Sequence, residues 1–425
     1  MTGQQLYGFK KIGAMMEMLK SPVMKTLSLR QLMAMNYVSS NSKLTRVDDR
    51  IYMNTFTPFF PSPAYERYVS GILKTVNGQP TPVMMNFAVT ANCICDCWHC
   101  SFSDRTKKNQ LTVSELKDAI HQVQDLGTSM IGFTGGEPLL RPDMEDILSL
   151  VGERSMSLMF STGWGLTPER VSSLKAAGLG IPVVSLDHYN PEKHDKRRGR
   201  EGMHAIAVKA IEMYQAQGMY VAVSFVPDHE LISNRTELFK TLDFFKSLGV
   251  NDMRLTSPIL SGQLTAHPEE KLTRSDVDTV HDVQRFLVKN KGYPACFAYD
   301  VFESRKFYGC GAGFHFIFVD SSGNVCPCDF CSISLGNMRE RPISEIWKEY
   351  SKIFRAPGCS CYANEIANPI ADLKTTVRPL SPEESRKIIA GCPSYSKGTV
   401  PEFYRRMGFR WDKALAEVPI QDSGK

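Results

Sequence analysis

Cysteine placement constrains this chain more than any other feature. Twelve cysteines occur in 425 residues, and eleven fall in two groups. Four lie at Cys93, Cys95, Cys97 and Cys100, and seven lie between Cys310 and Cys392, with Cys296 apart from both. Any fold must bring each group together. The N-terminus lacks a basic stretch followed by an apolar run, so no secretory leader is expected. A cytoplasmic chain follows, and clustered thiols in a reducing compartment read as metal ligands more than as disulfides. No stretch of about 18 apolar residues occurs, so no membrane-spanning helix is expected.

Three regions are expected, at 1–80, 81–300 and 301–425. The first is rich in Met and Lys, with Ile12, Met15, Met16 and Leu19 on one helical face. Its first 50 residues hold eight basic and three acidic side chains, an excess equal to the net +5 of the whole chain. That total is too small for a broad nucleic-acid-binding face. A basic amphipathic helix suits an anionic membrane surface, and it equally suits a cover for the rest of the fold. Peripheral membrane contact on the cytoplasmic side is therefore an expectation. Pro58, Pro61 and Pro63 predict an extended stretch.

Between 82 and 300, short apolar runs alternate with helical patterns. Strands are expected at 83–89, 130–134, 157–161, 181–187, 221–226 and 252–256. Helices are expected at 112–126, 143–153, 168–177, 203–217 and 235–248. Thr112 followed by Glu115 is a capping box. Six repeats of strand and helix imply an α/β fold, a partial (β/α)6 TIM-like barrel, in which loops after the strands carry the chemistry. The third region breaks this alternation. Its glycines and cysteines read as a small metal-stapled domain, with one helix at 343–354.

Cys93, Cys97 and Cys100 form C-x3-C-x2-C in the loop after the first strand. Three thiolates can hold three irons of a four-iron cluster and leave the fourth iron open. Zinc would need a fourth ligand, which His99 or Cys95 could supply. The preferred reading of Cys95 is a small buried residue. After the second strand come Gly135-Gly136-Glu137-Pro138, where glycines admit a ligand close to the backbone and a carboxylate can meet an ammonium.

Together these features resemble the radical S-adenosylmethionine (SAM) superfamily, over about residues 82–355. The resemblance implies a [4Fe-4S] cluster on Cys93, Cys97 and Cys100, with SAM as cofactor. Gly135, Gly136, Glu137 and Pro138 match the motif that receives the amino group of SAM. Ser161 lies in the small polar cluster near SAM. Ser185-Leu-Asp187 and His194–Gly199 match a further motif, except that His188 stands where glycine is usual; Ser185 would contact SAM, and Arg198 its carboxylate. Pro258–Gly262 would pack against adenine. No cobalamin domain is seen, which argues against cobalamin-dependent methylation.

Cys310, the hairpin turn at Ser322-Gly323-Asn324, Cys328, Gly336-Asn337 and Ile346-Trp347 resemble the SPASM or shorter twitch domain. The later cysteines depart from the longer pattern. One auxiliary [4Fe-4S] cluster is the main expectation, on Cys310, Cys328 and Cys331 with a fourth ligand from Cys359 or Cys361. A second cluster using Cys326 and Cys392, or structural zinc, is the alternative. The implied activity is reductive cleavage of SAM to a 5′-deoxyadenosyl radical that abstracts hydrogen from a substrate C–H bond. The auxiliary cluster would then aid oxidation or bond formation. A flavodoxin or ferredoxin would donate the electrons. The substrate is expected to be a hydrophobic lipid-like molecule or cofactor precursor. That reading rests on the Met-rich basic N-terminus and on Phe56–Phe60, taken as an apolar surface. A ribosomal peptide is the alternative, although residues 1–80 show little of the strand pattern of the peptide-binding module that such relatives carry. A non-enzymatic iron–sulfur or zinc protein of electron transfer is the reading from another class.

Overall fold

The computed structural model describes residues 3–102, 110–373, 375, 377–392 and 400–409. The N-terminal part holds an antiparallel sheet of β1 (Gln4–Leu6), β2 (Leu44–Val47) and β3 (Arg50–Tyr52). Helices Gly8–Met18 and Leu29–Ser40 lie between β1 and β2, and Pro63–Val76 follows β3. This differs from the helical and extended reading. The strands are only three or four residues long, too short for alternation to show. Pro63 opens a helix instead of continuing an extended stretch, because proline is tolerated in a first helical turn.

Next come β4 (Met84–Thr90), β5 (Met130–Gly135), β6 (Met156–Ser161), β7 (Leu179–Ser185), β8 (Ala222–Phe225), β9 (Asp252–Leu255) and β10 (Ala295–Ala298). All seven pair in parallel with their neighbours in this order. Six fall where the alternation predicts. The seventh, β10, was not expected: it is four residues long and holds Cys296, which reads as an isolated thiol in the sequence. Every residue of β4 is buried, as expected where both faces of a parallel sheet are covered. The capping box forms as read, with Thr112 accepting from the Glu115 N–H and Glu115 accepting from that of Thr112. The expected helix at 143–153 is shorter, at Met144–Ser149.

The sheet does not stop at the barrel. β11 (Phe316–Val319) pairs in parallel with β4, and β12 (Asn324–Cys326) and β13 (Gly336–Asn337) continue antiparallel, giving ten strands. The hairpin turns where the sequence places it, with Gly323 at φ +89°. Helix Ile343–Ile353 docks on the barrel through Trp347 Nε1, which donates to the Pro80 carbonyl at 3.1 Å. No described helix is long and apolar enough to cross a membrane.

The N-terminal part also reaches inside the barrel. Thr55 N–H donates to Asp252 Oδ2 at 2.8 Å, and Phe56 stacks on Phe297 of β10 with ring centroids 3.7 Å apart. Phe56 and Phe59 are half-buried and Phe60 is buried, so this segment is core and not the apolar surface that its composition suggested.

Burial pushes the Asp252 carboxyl up to about 7, against the lowering pull of the Met253 and Thr55 N–H groups and of Arg254. A carboxyl raised in the folded state adds stability at low pH that is lost as pH climbs through the folded value. The stability difference between wild type and Asp252→Asn should therefore fall by on the order of 2–3 kcal/mol between pH 5 and 8.5. Urea unfolding at several pH values measures it; a flat difference would place the charge elsewhere.

Candidate functional site

The loop after β4 has no regular structure of its own, so other loops hold it. Asp96 N–H donates to the Arg198 carbonyl at 2.9 Å, and Trp98 N–H to that of Arg197 at 3.2 Å. Glu137 N–H donates to the Asn92 carbonyl at 2.7 Å, and Gln263 N–H to that of Cys100 at 2.9 Å. These contacts are close enough to demand glycine. A Cβ on Gly136 would lie 1.9 Å from the Asn92 oxygen, and one on Gly262 would lie 2.1 Å from the Cys100 oxygen.

Cys93, Cys95, Cys97 and Cys100 then line a cavity of about 200 Å³. Hydrogen bonds to Cys93 and Cys97 push the Cys95 thiol far up, which keeps it protonated. Those bonds, with the Arg198 cation nearby, hold the Cys97 thiol below its ordinary value. No three of the described His, Cys, Asp and Glu side chains close on a single ion. A cluster does not need them to, because each thiolate bonds its own iron.

Gly135, Gly136 and Glu137 line the same cavity, as do Ser161, Ser185 and Arg198. Glu137 is buried, which pushes its carboxyl up. Its Oε1 accepts from Ser161 Oγ at 2.6 Å and Leu139 N–H at 3.1 Å. Its Oε2 accepts from Thr162 N–H at 2.8 Å and Thr162 Oγ1 at 2.6 Å. A carboxylate offers about four lone-pair positions, and all are engaged. The side chain thus ties the β5 loop to the β6 loop. Pro138 stands back from the cavity and opens a short 3-10 turn.

Arg198 is buried and committed. Its Nη2 lies 2.7 Å from Asp187 Oδ2, and its Nη1 donates to Cys97 Sγ at 3.7 Å. Asp187 accepts the Val226 N–H through Oδ1, and its own N–H donates to His194 Nδ1. The Ser185–Asp187 and His194–Gly199 motifs are therefore one buried network behind the cysteine loop. Pro258 and Ile259 also line the cavity.

In the C-terminal part, Cys310, Cys328, Cys331 and Cys361 gather. Each of the six pairs among them interacts electrostatically or by a hydrogen bond. Burial pushes Cys310 up to about 12 and Cys361 well above its ordinary value. Cys359 lies beside Arg305, and Cys392 beside Glu365. Cys326 is buried near Cys331. A further cavity of about 240 Å³ is lined by Cys359, Cys361, Asp300 and Glu303, and shares Ser257, Pro258, Ile259 and Tyr299 with the first.

Sequence models of known families match these two places. The Radical SAM superfamily model matches residues 87–245, and the SPASM model, an iron-sulfur cluster-binding domain, matches 310–364. The chain belongs to the radical SAM superfamily. The AdoMet-dependent heme synthase of Methanosarcina barkeri is 29% identical over 64% of this chain and 84% of its own length. The PqqA peptide cyclase of Gluconobacter oxydans is 24% identical over 63% and 77%. Among solved structures, Streptococcus suis SuiB bound to S-adenosylmethionine superposes with a TM-score of 0.56 at 16% identity, over 72% of this chain and 78% of that one. This radical SAM enzyme therefore uses SAM and a [4Fe-4S] cluster, with auxiliary iron–sulfur binding in its SPASM domain. The zinc and electron-carrier readings give way to it. The residues fit such groups: Cys93, Cys97 and Cys100 face an open cavity, and four further thiols gather in the C-terminal part.

Sequence reasoning missed part of this cavity. Ser224, Arg254, Tyr299, Asp329 and Phe330 all line it. Asp329 sits between two expected ligands, and Arg254 is a charge inside a buried barrel strand, two residues after Asp252; both were visible signals.

Glu137→Gln replaces an acceptor by a donor that faces hydroxyl and N–H groups. It should lower stability by about 1–3 kcal/mol and weaken SAM binding, with the iron content retained. Thermal melts, SAM titration and an iron assay of the reconstituted protein check this. A variant that bound SAM normally would deny the tie a role.

Proposed function

We propose that this radical SAM enzyme functionalises a C–H bond of a small, largely apolar substrate that carries a carboxylate, as cofactor precursors do. Arg254 carries the reading. It is 3% exposed and lines the reaction cavity. Its guanidinium lies 4.1 Å from the Phe56 ring centroid, 4.7 Å from that of Phe160 and 5.4 Å from that of Tyr299. It donates to Thr55 Oγ1 at 3.4 Å and to the Tyr299 hydroxyl. Among the described residues it makes no ion pair. Cation–π contacts return about 2 kcal/mol when desolvated, less than burial of an unpaired charge takes. A substrate carboxylate would complete the balance. Burial pushes up the nearby carboxyls of Asp329 and Glu303, the latter to about 8, so they compete weakly for the cation. Relatives named AdoMet-dependent heme synthase and Fe-coproporphyrin III synthase make flat apolar molecules edged with carboxylates, which is chemistry of this kind.

In this reading Cys93, Cys97 and Cys100 hold the cluster, and Cys310, Cys328, Cys331 and Cys361 hold an auxiliary one. When bound, the cluster and SAM supply hydrogen-atom abstraction, and the auxiliary cluster supplies an electron acceptor. The chain does the rest. Arg198 neutralises charge at Cys97, Glu137 fixes the loops around SAM, and Arg254 orients the substrate between aromatic walls that exclude water. A flavodoxin or ferredoxin would deliver electrons.

A peptide substrate is the second reading. The three strands and three helices of the N-terminal part favour it, because relatives that modify peptides carry a module of that content. The β3 edge is engaged, since Ile51 pairs with Phe60, whereas β1 meets residues 292 and 293 through the Gln5 side chain, so a peptide strand would add along β1.

Two experiments follow. Reconstituted Arg254→Gln should bind coproporphyrin III about 10–100-fold more weakly than wild type, with substrate-independent deoxyadenosine formation unchanged; equal binding of its tetramethyl ester by wild type would sink the carboxylate assignment. Cys361→Ala should carry about four fewer irons per chain than wild type, while Cys359→Ala keeps them; the reverse pattern would exchange the fourth ligand.

A further inference from the structure

Helix Gly8–Met18 carries two different apolar faces. Ala14 and Met18 are buried, whereas Phe9 is 92% exposed, Ile12 57%, Met16 58% and Leu19 37%. At 100° per residue the four exposed side chains span only about 80° of arc, on the side away from Ala14 and Met18. Leu29 and Met33, one turn apart on the next helix, are exposed as well. Among the described residues, only Leu140 and Val377 are other large apolar side chains exposed in this way. The helix cannot roll to hide its stripe, because Lys11 Nζ is fastened to the Ser39 and Ser42 carbonyls at 3.0 and 2.9 Å.

We infer that this stripe docks the protein on an anionic lipid surface. The charges around it point to that occupant. Lys10, Lys20 and Lys25 are exposed and make no ion pair among the described residues. Glu17, the acidic residue of the helix, is neutralised by Arg46 at 2.6 Å. Arg30 is not counted, because it donates to the Arg405 and Arg406 carbonyls. An apolar stripe flanked by free lysines is the composition of a helix lying in a membrane interface. A second copy of this chain fits less well, since a two-fold contact through the stripe would bring the same lysines together. The N-terminal part that presents the stripe also sends Phe56 to the wall beside Arg254, so docking would hold the barrel close to the lipid. The inference does not depend on the substrate reading, because the stripe is outside the reaction cavity.

Flotation of the full reconstituted protein with vesicles tests it. One set contains 30% phosphatidylglycerol in phosphatidylcholine, and the other contains phosphatidylcholine alone. Wild type should float with the anionic vesicles and be released at high salt. Lys10→Glu/Lys20→Glu should bind at least tenfold more weakly, each lysine contributing on the order of fivefold. Phe9→Gln/Met16→Gln should also lose binding, with its melting temperature and deoxyadenosine formation intact because both side chains are exposed. Failure of wild type to float, equal flotation with neutral vesicles, or undiminished binding by the Phe9/Met16 variant would overturn the proposal. So would a dimer in solution that the Phe9/Met16 variant dissolves without any vesicle binding by wild type.

Discussion

Residues 91–100 carry four cysteines and no helix or strand, and everything else about the reaction cavity depends on how that loop is held. Its backbone is gripped by amides and carbonyls from the loops after β5, β7 and β9. These grips need glycine where chain meets chain, at Gly136 and Gly262. The thiols are free to face inward because the backbone is satisfied on the other side. A parallel sheet makes this possible: all its strands end on the same edge, so three separate loops can converge on a fourth.

Two buried arginines show how the chain handles charge at that edge. Arg198 is balanced by Asp187, which is in turn held by the Val226 N–H. The pair is closed, so its work is to stabilise thiolate at Cys97 and to fix the loop. Arg254 lies in the next layer, with rings and hydroxyls for neighbours and no carboxylate bonded to it. A protein keeps a buried cation unpaired only where something else supplies the anion. That contrast, more than the cavity's shape, is what the proposed substrate carboxylate at Arg254 rests on.

The barrel was legible in the sequence because its strands are continuous apolar runs between amphipathic helices, and the cysteine loop because its spacing is regular. β1 to β3 and β10 were not legible, being three or four residues long and formed by long-range pairing that no local pattern records. Phe56–Phe60 misled for a related reason: aromatic residues beside prolines read alike whether they cover a surface or plug a barrel. Of the site residues, Glu137 was visible as a motif, but its four bonds to Leu139, Ser161 and Thr162 depend on loops that meet only in the fold. Cys359 and Cys361 could not be told apart by spacing. In the fold the Cys361 thiol interacts with Cys310, Cys328 and Cys331 while Cys359 has Arg305 for its charged neighbour, a difference of long-range neighbours that spacing does not record.

β4 joins the two metal-binding regions. Its C-terminal end leads into Cys93, and its side pairs with β11, whose hairpin leads to Cys328 and Cys331. Asn86, in the middle of β4, donates to Asp329 at 2.6 Å, so the segment between those two cysteines is pinned to the strand that feeds the first group. Because β11 continues the barrel sheet, the second group cannot swing away without breaking strand pairing along β4. The spacing of the two cysteine groups is therefore set by sheet geometry and not by a flexible linker, and an electron passing between clusters held there, as proposed, would cross a fixed distance.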